Sequence, residues 1–205
     1  MTCTVGIFVF DDVEVLDFAG PYEVFTTASR LHARQYPAEP ALFRVITVAR
    51  AAAQFRARAG LEVTADFTFA DHPALDVLIV PGGVVTAELA SPDVGAWIAA
   101  RFPDTIITAS VCTGAFLLAQ AGVLEGVSAT THWEDIAELK AMFPALTVVS
   151  GRRWVDAGGV VTSAGISAGI DMSLHLVERI AGRELAWRTA RQMEFDWTEN
   201  GITRG

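Results

Sequence analysis

Short apolar runs alternate with longer amphipathic stretches along this chain of 205 residues. Residues 5–10, 42–48, 77–80 and 106–111 are dominated by apolar side chains, as expected of strands buried in a parallel sheet. Helical patterns occupy much of the remaining sequence: residues 17–31 with Pro21 in the first turn, the stretch that starts at Ser91, and residues 113–121, 132–142, 166–180 and 184–195. This alternation predicts a three-layer α/β sandwich in one domain over residues 1–205, with a mostly parallel central sheet and helices on both faces.

Two segments depart from this alternation and predict hairpins. Residues 51–67 form alternating stretches on either side of Gly60. Short strands near residues 148–149 and 154–155 precede Gly158-Gly159, which turns the chain into a strand over residues 160–163.

The run Thr108-Ala109-Ser110-Val111-Cys112-Thr113-Gly114 predicts a strand that ends on a cysteine and passes at once into a helix. This arrangement is similar to a nucleophile elbow, in which a reactive side chain stands at the tip of a central strand. The N-terminus of the following helix favours a thiolate, which is the nucleophilic form. The alternative is that Cys112 only packs, because free cysteines are among the most buried residues.

Composition narrows the classes of function. The net charge of −9 argues against nucleic acid or an anionic membrane as partner, since both need basic surface. No apolar stretch is long enough to span a bilayer, and no secretory leader is apparent at the N-terminus. Cys3 and Cys112 are expected to be free thiols in a reducing cytoplasm, and no spacing suggests a metal site.

Ligands of such sheets bind beyond the carboxyl ends of the strands, where three predicted segments converge on Cys112. Asp17 is either a helix N-cap or a carboxyl group beside the thiol that gives or takes a proton, and Glu14 and Glu23 are weaker candidates for that role. Gly82 and Gly83 form a tight turn. In the functional alternative, the N–H groups of Gly83 and Thr113 point at one anion.

His132 and Trp133 follow a predicted short strand. His132 is either a general base for Cys112 or a hydrogen-bonded residue at a helix start. Trp133 either lines the pocket or packs in the core.

Five motifs in order resemble those of the DJ-1/PfpI superfamily, whose fold is amidotransferase-like and related to flavodoxin. They extend from residue 16 to residue 171 and so cover most of the chain. The motifs are Leu16-Asp17-Phe18-Ala19-Gly20-Pro21, Pro81-Gly82-Gly83, Ser110-Val111-Cys112-Thr113-Gly114, Thr130-Thr131-His132-Trp133 and Ser163-Ala164-Gly165-Ile166-Ser167-Ala168-Gly169-Ile170-Asp171.

Within the superfamily the likeness is strongest to isocyanide hydratases and to the related sensor domains of AraC-type regulators. The PfpI-type peptidases have a histidine where this chain has Thr113, which argues against a peptidase triad. The resemblance implies a cofactor-free enzyme in which the Cys112 thiolate attacks the terminal carbon of an isocyanide and Asp17 supplies the proton. Water then releases an N-substituted formamide from the thioimidate.

Two other functions stay open: a small-molecule or redox sensor without turnover, and a glyoxalase- or amidase-like hydrolase of the same superfamily. The superfamily is usually dimeric, and the resemblance therefore implies a homodimer with a small-molecule substrate. The C-terminal residues Trp187, Met193, Phe195 and Trp197 offer apolar surface either for a second copy or for the chain's own sheet.

Overall fold

The computed structural model describes residues 1–51 and 54–199. Residues 52 and 53 of the predicted first hairpin, and residues 200–205 of the predicted domain, lie outside the described residues. A seven-stranded sheet organises the fold and confirms the predicted α/β class. In spatial order its strands are β10 (Trp154–Asp156), β11 (Val160–Ser163), β7 (Ile107–Val111), β6 (Val77–Val80), β1 (Cys3–Val9), β2 (Phe43–Ala49) and β5 (Phe67–Thr68). Every neighbouring pair is parallel except β10 with β11.

Seven α-helices connect or flank these strands in the described residues. They are α1 (Val15–Gln35), α2 (Thr86–Leu89), α3 (Pro92–Arg101), α4 (Gly114–Gln120), α5 (Ile136–Met142), α6 (Ala168–Ala181) and α7 (Arg183–Gln192). The chain moves from β1 to β2 in one direction across the sheet and from β6 to β7 in the other. Because such crossovers are right-handed, α1 and α3 cover opposite faces. Helices α6 and α7 pack with α1, and α2 and α4 pack with α3.

The predicted hairpin around Gly60 is confirmed over its described residues, since β3 (Gln54–Arg56) pairs antiparallel with β4 (Glu62–Thr64). The second hairpin, around Gly158-Gly159, consists of β10 and β11. Residues near 148 take a different place, because β9 (Thr147–Val148) pairs with β8 (Ser128–Ala129) in a separate parallel sheet.

Two helix predictions need correction. Helix α1 begins at Val15 rather than at Asp17, because Glu14 takes the extended N-cap conformation while its N–H donates to the Gly82 carbonyl at 2.9 Å. Pro21 consequently lies in the second turn. At the other end of the chain α7 ends at Gln192, and Trp197 is buried with its indole N–H bonded to the Asp171 carbonyl at 3.1 Å.

Helix α4 approaches the sheet too closely for a side chain at its first residue. A Cβ on Gly114 would lie 2.0 Å from the carbonyl oxygen of Val80, a backbone atom held within β6. This contact brings the start of α4 against the end of β6. None of the helices in the described residues is long and apolar enough to cross a bilayer.

We expect Gly114→Ala to lower the free energy of unfolding by about 3 kcal/mol, since overpacking against backbone cannot be relieved by rotating a side chain. Gly95→Ala in α3 is the matched control, because a Cβ there meets nothing within 4 Å. Alanine should stabilise that helix by about 1 kcal/mol. Urea unfolding of both variants measures the two effects, and equal effects would contradict the steric argument.

Candidate active site

Three adjacent parallel strands bring the predicted site residues to one edge of the sheet. Strands β1, β6 and β7 are neighbours, and their carboxyl ends are followed by Asp17, Gly82 and Cys112 respectively. This edge lies where the strand order reverses, which is where open α/β sheets bind their ligands.

Cys112 occupies a strained turn between β7 and α4. Its φ of 55° is in the left-handed region, which residues other than glycine seldom adopt. The turn is fixed on both sides of the residue. The Cys112 N–H is shared between the carbonyls of Ser163 and Ala164, at 3.2 and 3.3 Å, and the Thr131 hydroxyl donates to the Cys112 carbonyl at 2.8 Å. The predicted strand–cysteine–helix turn is therefore present, with its thiol buried.

The backbone N–H groups of Thr113 and Ile166 lie beside the Cys112 sulfur, and both lower the pKa of the thiol. Thr113 is among the site residues predicted from the sequence, and Ile166 is not. Ile166 has a φ of 48°, and a β-branched side chain gives no signal of such a backbone. The only indication in the sequence was the preceding Gly165 within a motif of the superfamily.

Asp17 is fully buried in the first turn of α1. Its Oδ2 accepts a hydrogen bond from the Gly82 N–H at 3.1 Å, while Oδ1 is buried without an N–H or O–H donor among the described residues. Since Glu14 is the N-cap, the capping role considered for Asp17 is wrong. The carboxyl group instead lies beside the Cys112 thiol, which lowers its pKa slightly by hydrogen bonding.

Burial dominates the protonation of both groups. It raises the pKa of Asp17 from 3.8 to about 7, a rise opposed by the Gly82 N–H and supported by the charge of Glu14. Burial and the neighbouring Asp17 charge raise the pKa of Cys112 to about 12, against the lowering effect of the Thr113 and Ile166 N–H groups. The Thr113 N–H at the start of α4 thus lowers the pKa of the thiol, as predicted, but burial and the Asp17 charge outweigh this effect.

The buried carboxyl makes stability depend on pH. With a pKa of 3.8 in the unfolded chain and about 7 in the folded one, the folded state binds the extra proton between these values. The stabilisation that this proton gives the folded state is complete below pH 3.8 and is lost as the pH rises to about 7. We expect the unfolding free energy of the wild type to fall by about 4 kcal/mol relative to Asp17→Asn across this window. Denaturant unfolding of both proteins at each pH measures the difference in unfolding free energy. A difference that is the same at every pH would contradict the prediction.

Gly82 and Gly83 both contact Thr113 next to the cysteine, Gly82 by close packing and Gly83 by a hydrogen bond. A Cβ on Gly82 would lie 2.5 Å from the Thr113 nitrogen, so only glycine fits between the two strand ends. The Gly83 N–H donates to the Thr113 hydroxyl at 2.9 Å. That N–H is therefore bonded to the Thr113 side chain, and the anion pocket of the Gly83 and Thr113 N–H groups stays a prediction. The N–H groups beside the sulfur are those of Thr113 and Ile166.

A cavity of about 250 Å³ opens above Cys112. Its rim carries three acidic side chains, Glu14, Glu134 and Asp135, and one arginine, Arg58. The Arg58 guanidinium pairs with Glu14 at 3.3 Å. Apart from Glu14, these rim residues had no place among the sequence candidates, because they come from loops that only the fold brings together. Glu23 is bound instead to Thr27 and Arg30 further along α1.

His132 lines the cavity, but its ring is engaged with its own turn. It is the N-cap of a short 3₁₀ turn, with Nδ1 3.4 Å from the Glu134 nitrogen and 3.3 Å from the Asp135 carboxylate. This confirms the hydrogen-bonded alternative. Trp133 is 75% exposed, so the core-packing alternative is wrong for it, and it lines a neighbouring pocket rather than the cysteine cavity.

Over residues 1–51 and 54–199, no group of three or more His, Cys, Asp or Glu side chains is arranged to hold a metal ion. What this arrangement can do follows from its two reactive groups. A buried thiol can add to an electrophilic carbon, and a carboxyl group with a pKa near neutrality can both take and give a proton.

This fold and this site are those of a cysteine-containing α/β protein of the amidotransferase-like class. Residues 3–179 match the model of the DJ-1/PfpI family, and the chain belongs to that family. It is 30% identical to an isonitrile hydratase of Pseudomonas putida over 197 residues, which are 95% of this chain and 79% of the relative.

The second kind of relative is a regulator. The chain is 31% identical over 197 residues to the HTH-type transcriptional regulator GbdR of Pseudomonas aeruginosa, spanning 96% of this chain and 52% of the regulator. It therefore covers about half the length of that protein.

Solved structures agree with the fold. A THiJ/PfpI family protein of Pseudomonas syringae superposes with a TM-score of 0.83 at 27% identity, over 96% of this chain and 76% of the other. Drosophila melanogaster DJ-1beta gives a TM-score of 0.80 at 20% identity, over 96% and 100% of the two chains.

Proposed function

We propose that this protein is an isocyanide hydratase, which adds water to R–N≡C to give an N-substituted formamide. The observation that carries the proposal is the buried pair of Cys112 and Asp17, in which the carboxyl group has a pKa of about 7. The relative named isonitrile hydratase supports it, since the similarity extends over 95% of this chain.

In the proposed reaction Asp17 moves a single proton. The carboxylate takes the proton of the Cys112 thiol as sulfur attacks the terminal carbon, and then gives that proton to the same carbon. The product is a thioimidate with the linkage S–CH=N–R. A carboxyl group with a pKa near the working pH suits both halves of this transfer. The N–H groups of Thr113 and Ile166 stabilise negative charge on the sulfur during the attack.

Water completes the cycle. It adds to the thioimidate carbon, so that one of its protons ends on nitrogen and the other on sulfur as the C–S bond breaks. The formamide R–NH–CHO leaves and the thiol is restored. Atoms and charge balance without an oxidant, a reductant or a second substrate.

The test is incubation of the purified chain with phenyl isocyanide, with formanilide measured by chromatography and mass spectrometry. We expect catalytic formation of formanilide, far above the rate in buffer, and a thioimidate-sized mass increase when turnover is stopped by acid. Absence of the corresponding N-substituted formamide with each of phenyl, cyclohexyl and methyl isocyanides would overturn the proposal.

A sensor without turnover is the second candidate, and one observation favours it. The regulator that matches this chain is consistent with such a role. A stable added-oxygen species on Cys112 after mild peroxide treatment, together with no formamide formation, would favour the sensor.

A further inference from the structure

A second and larger cavity lies beside the one above Cys112. Its volume is about 540 Å³, against about 250 Å³ for the cysteine cavity. It is enclosed by residues 130–133, 150–153 and 164–168, together with Ile136. His132 and Ile166 line both cavities, so the two are adjacent and share a boundary.

Ile166 connects the reacting atom to this second cavity. Its backbone N–H lies beside the Cys112 sulfur and lowers the pKa of the thiol, while the residue, 39% exposed, lines both cavities. The left-handed backbone at this residue holds the N–H and the side chain in these places. A group attached to a carbon bound at the sulfur can therefore contact Ile166 and reach the second cavity past it.

The two cavities differ in chemistry. The rim of the cysteine cavity carries Glu14, Arg58, Glu134 and Asp135, all of which prefer to remain hydrated. The second cavity has the apolar side chains of Trp133, Ile136, Ile166 and two alanines, and Trp133 and Ile166 are among the exposed large apolar residues of the chain. Covering such side chains with an apolar group releases water from them.

Two arginines line the second cavity, and the charge of one of them is compensated within the fold. The Arg153 guanidinium is bonded to the buried Asp171 carboxylate and to the Ser167 hydroxyl, so its charge is compensated. Arg152 lies exposed at the edge and forms no ion pair with the described residues. Both the Arg152 guanidinium and the Trp133 indole are planar groups that stack on aromatic rings.

We propose that this cavity, here called the substituent pocket, holds the group R of the isocyanide while Cys112 reacts with the terminal carbon. The pocket selects an apolar, aromatic R over a small alkyl group. This inference rests on the proposed hydratase function, and it adds the substrate class and the residues that select it: Trp133, Ile136 and Ile166.

The test fills the pocket without touching the cysteine cavity. Ser150 lines the substituent pocket, is exposed and does not line the cavity above Cys112. We expect Ser150→Trp to lower the ratio of kcat/KM for phenyl over methyl isocyanide by about tenfold or more, the size of effect that lost apolar contacts produce. Ala96→Trp, on the exposed side of α3, is the matched control and should leave the ratio unchanged. An unchanged ratio in Ser150→Trp would overturn the proposal.

A second measurement does not need hydratase turnover. The rates at which iodoacetamide and N-phenyl iodoacetamide alkylate Cys112 are followed by intact mass in the same three proteins. A preference for the phenyl reagent that is lost in Ser150→Trp supports the pocket even if no formamide is ever formed, in which case only the proposed function fails. Equal rates for both reagents in the wild type would overturn the inference. So would self-association that is lost in Ser150→Trp in sedimentation experiments, because a second copy would then occupy this face.

Discussion

Cys112→Ala is expected to lose isocyanide turnover by at least about 10³-fold, because the variant has no atom that can form the covalent intermediate. The acid-trapped mass increase should disappear together with the turnover. Alanine removes only the sulfur from a buried position, so the fold should survive with a loss of about 1 kcal/mol in unfolding free energy.

Cys3→Ala is the matched control for the loss of a thiol. Cys3 is the first residue of β1 and lies at the end of that strand opposite the site. Its variant should retain full turnover and the mass increase. Formanilide production by Cys112→Ala at the wild-type rate would remove the nucleophile from the mechanism, whatever the behaviour of the Cys3 variant.

The parts of this site that the sequence could predict are those fixed by strand order. Apolar runs identify β1, β6 and β7 without reference to the rest of the molecule, and the residues that follow parallel strands necessarily share one edge of a sheet. Cys112, Asp17 and Gly82 could therefore be placed together before their distances were known.

The hydrogen-bond partners of individual N–H groups could not be predicted, because small differences in the positions of neighbouring loops decide them. Gly83 is bridged to Val13 across the sheet edge, which turns its N–H toward the Thr113 hydroxyl. Ile166 has a left-handed backbone, with a φ of 48°. Such a conformation contradicts the local preference of an isoleucine.

Ionisation was the other property hidden from the sequence. The position of Cys112 before a helix argued for a thiolate, but the depth at which the fold buries Cys112 and Asp17 decides their pKa values. A sequence shows which groups are neighbours and does not show how much water remains around them.

Asp17→Asn is expected to reduce isocyanide turnover by about 10²-fold or more, since asparagine can accept a hydrogen bond but cannot take the thiol proton and pass it to carbon. The amide is nearly the same size as the carboxyl group, so the cavity should keep its shape. Its oxygen can still accept the hydrogen bond from the Gly82 N–H.

Two readouts separate proton transfer from a structural role for Asp17. In the wild type kcat/KM should fall toward acid with an apparent pKa of about 7, because a protonated Asp17 cannot accept the thiol proton, and this limb should be absent in Asp17→Asn. Above neutral pH the unfolding free energy of Asp17→Asn should equal or exceed that of the wild type, because the ionised Asp17 carboxylate is buried at a cost. Slower turnover without the acid limb, in a variant that is as stable as the wild type, is the combination that a disrupted fold does not produce. An acid limb that persists in Asp17→Asn would show that Asp17 is not the group that takes the thiol proton.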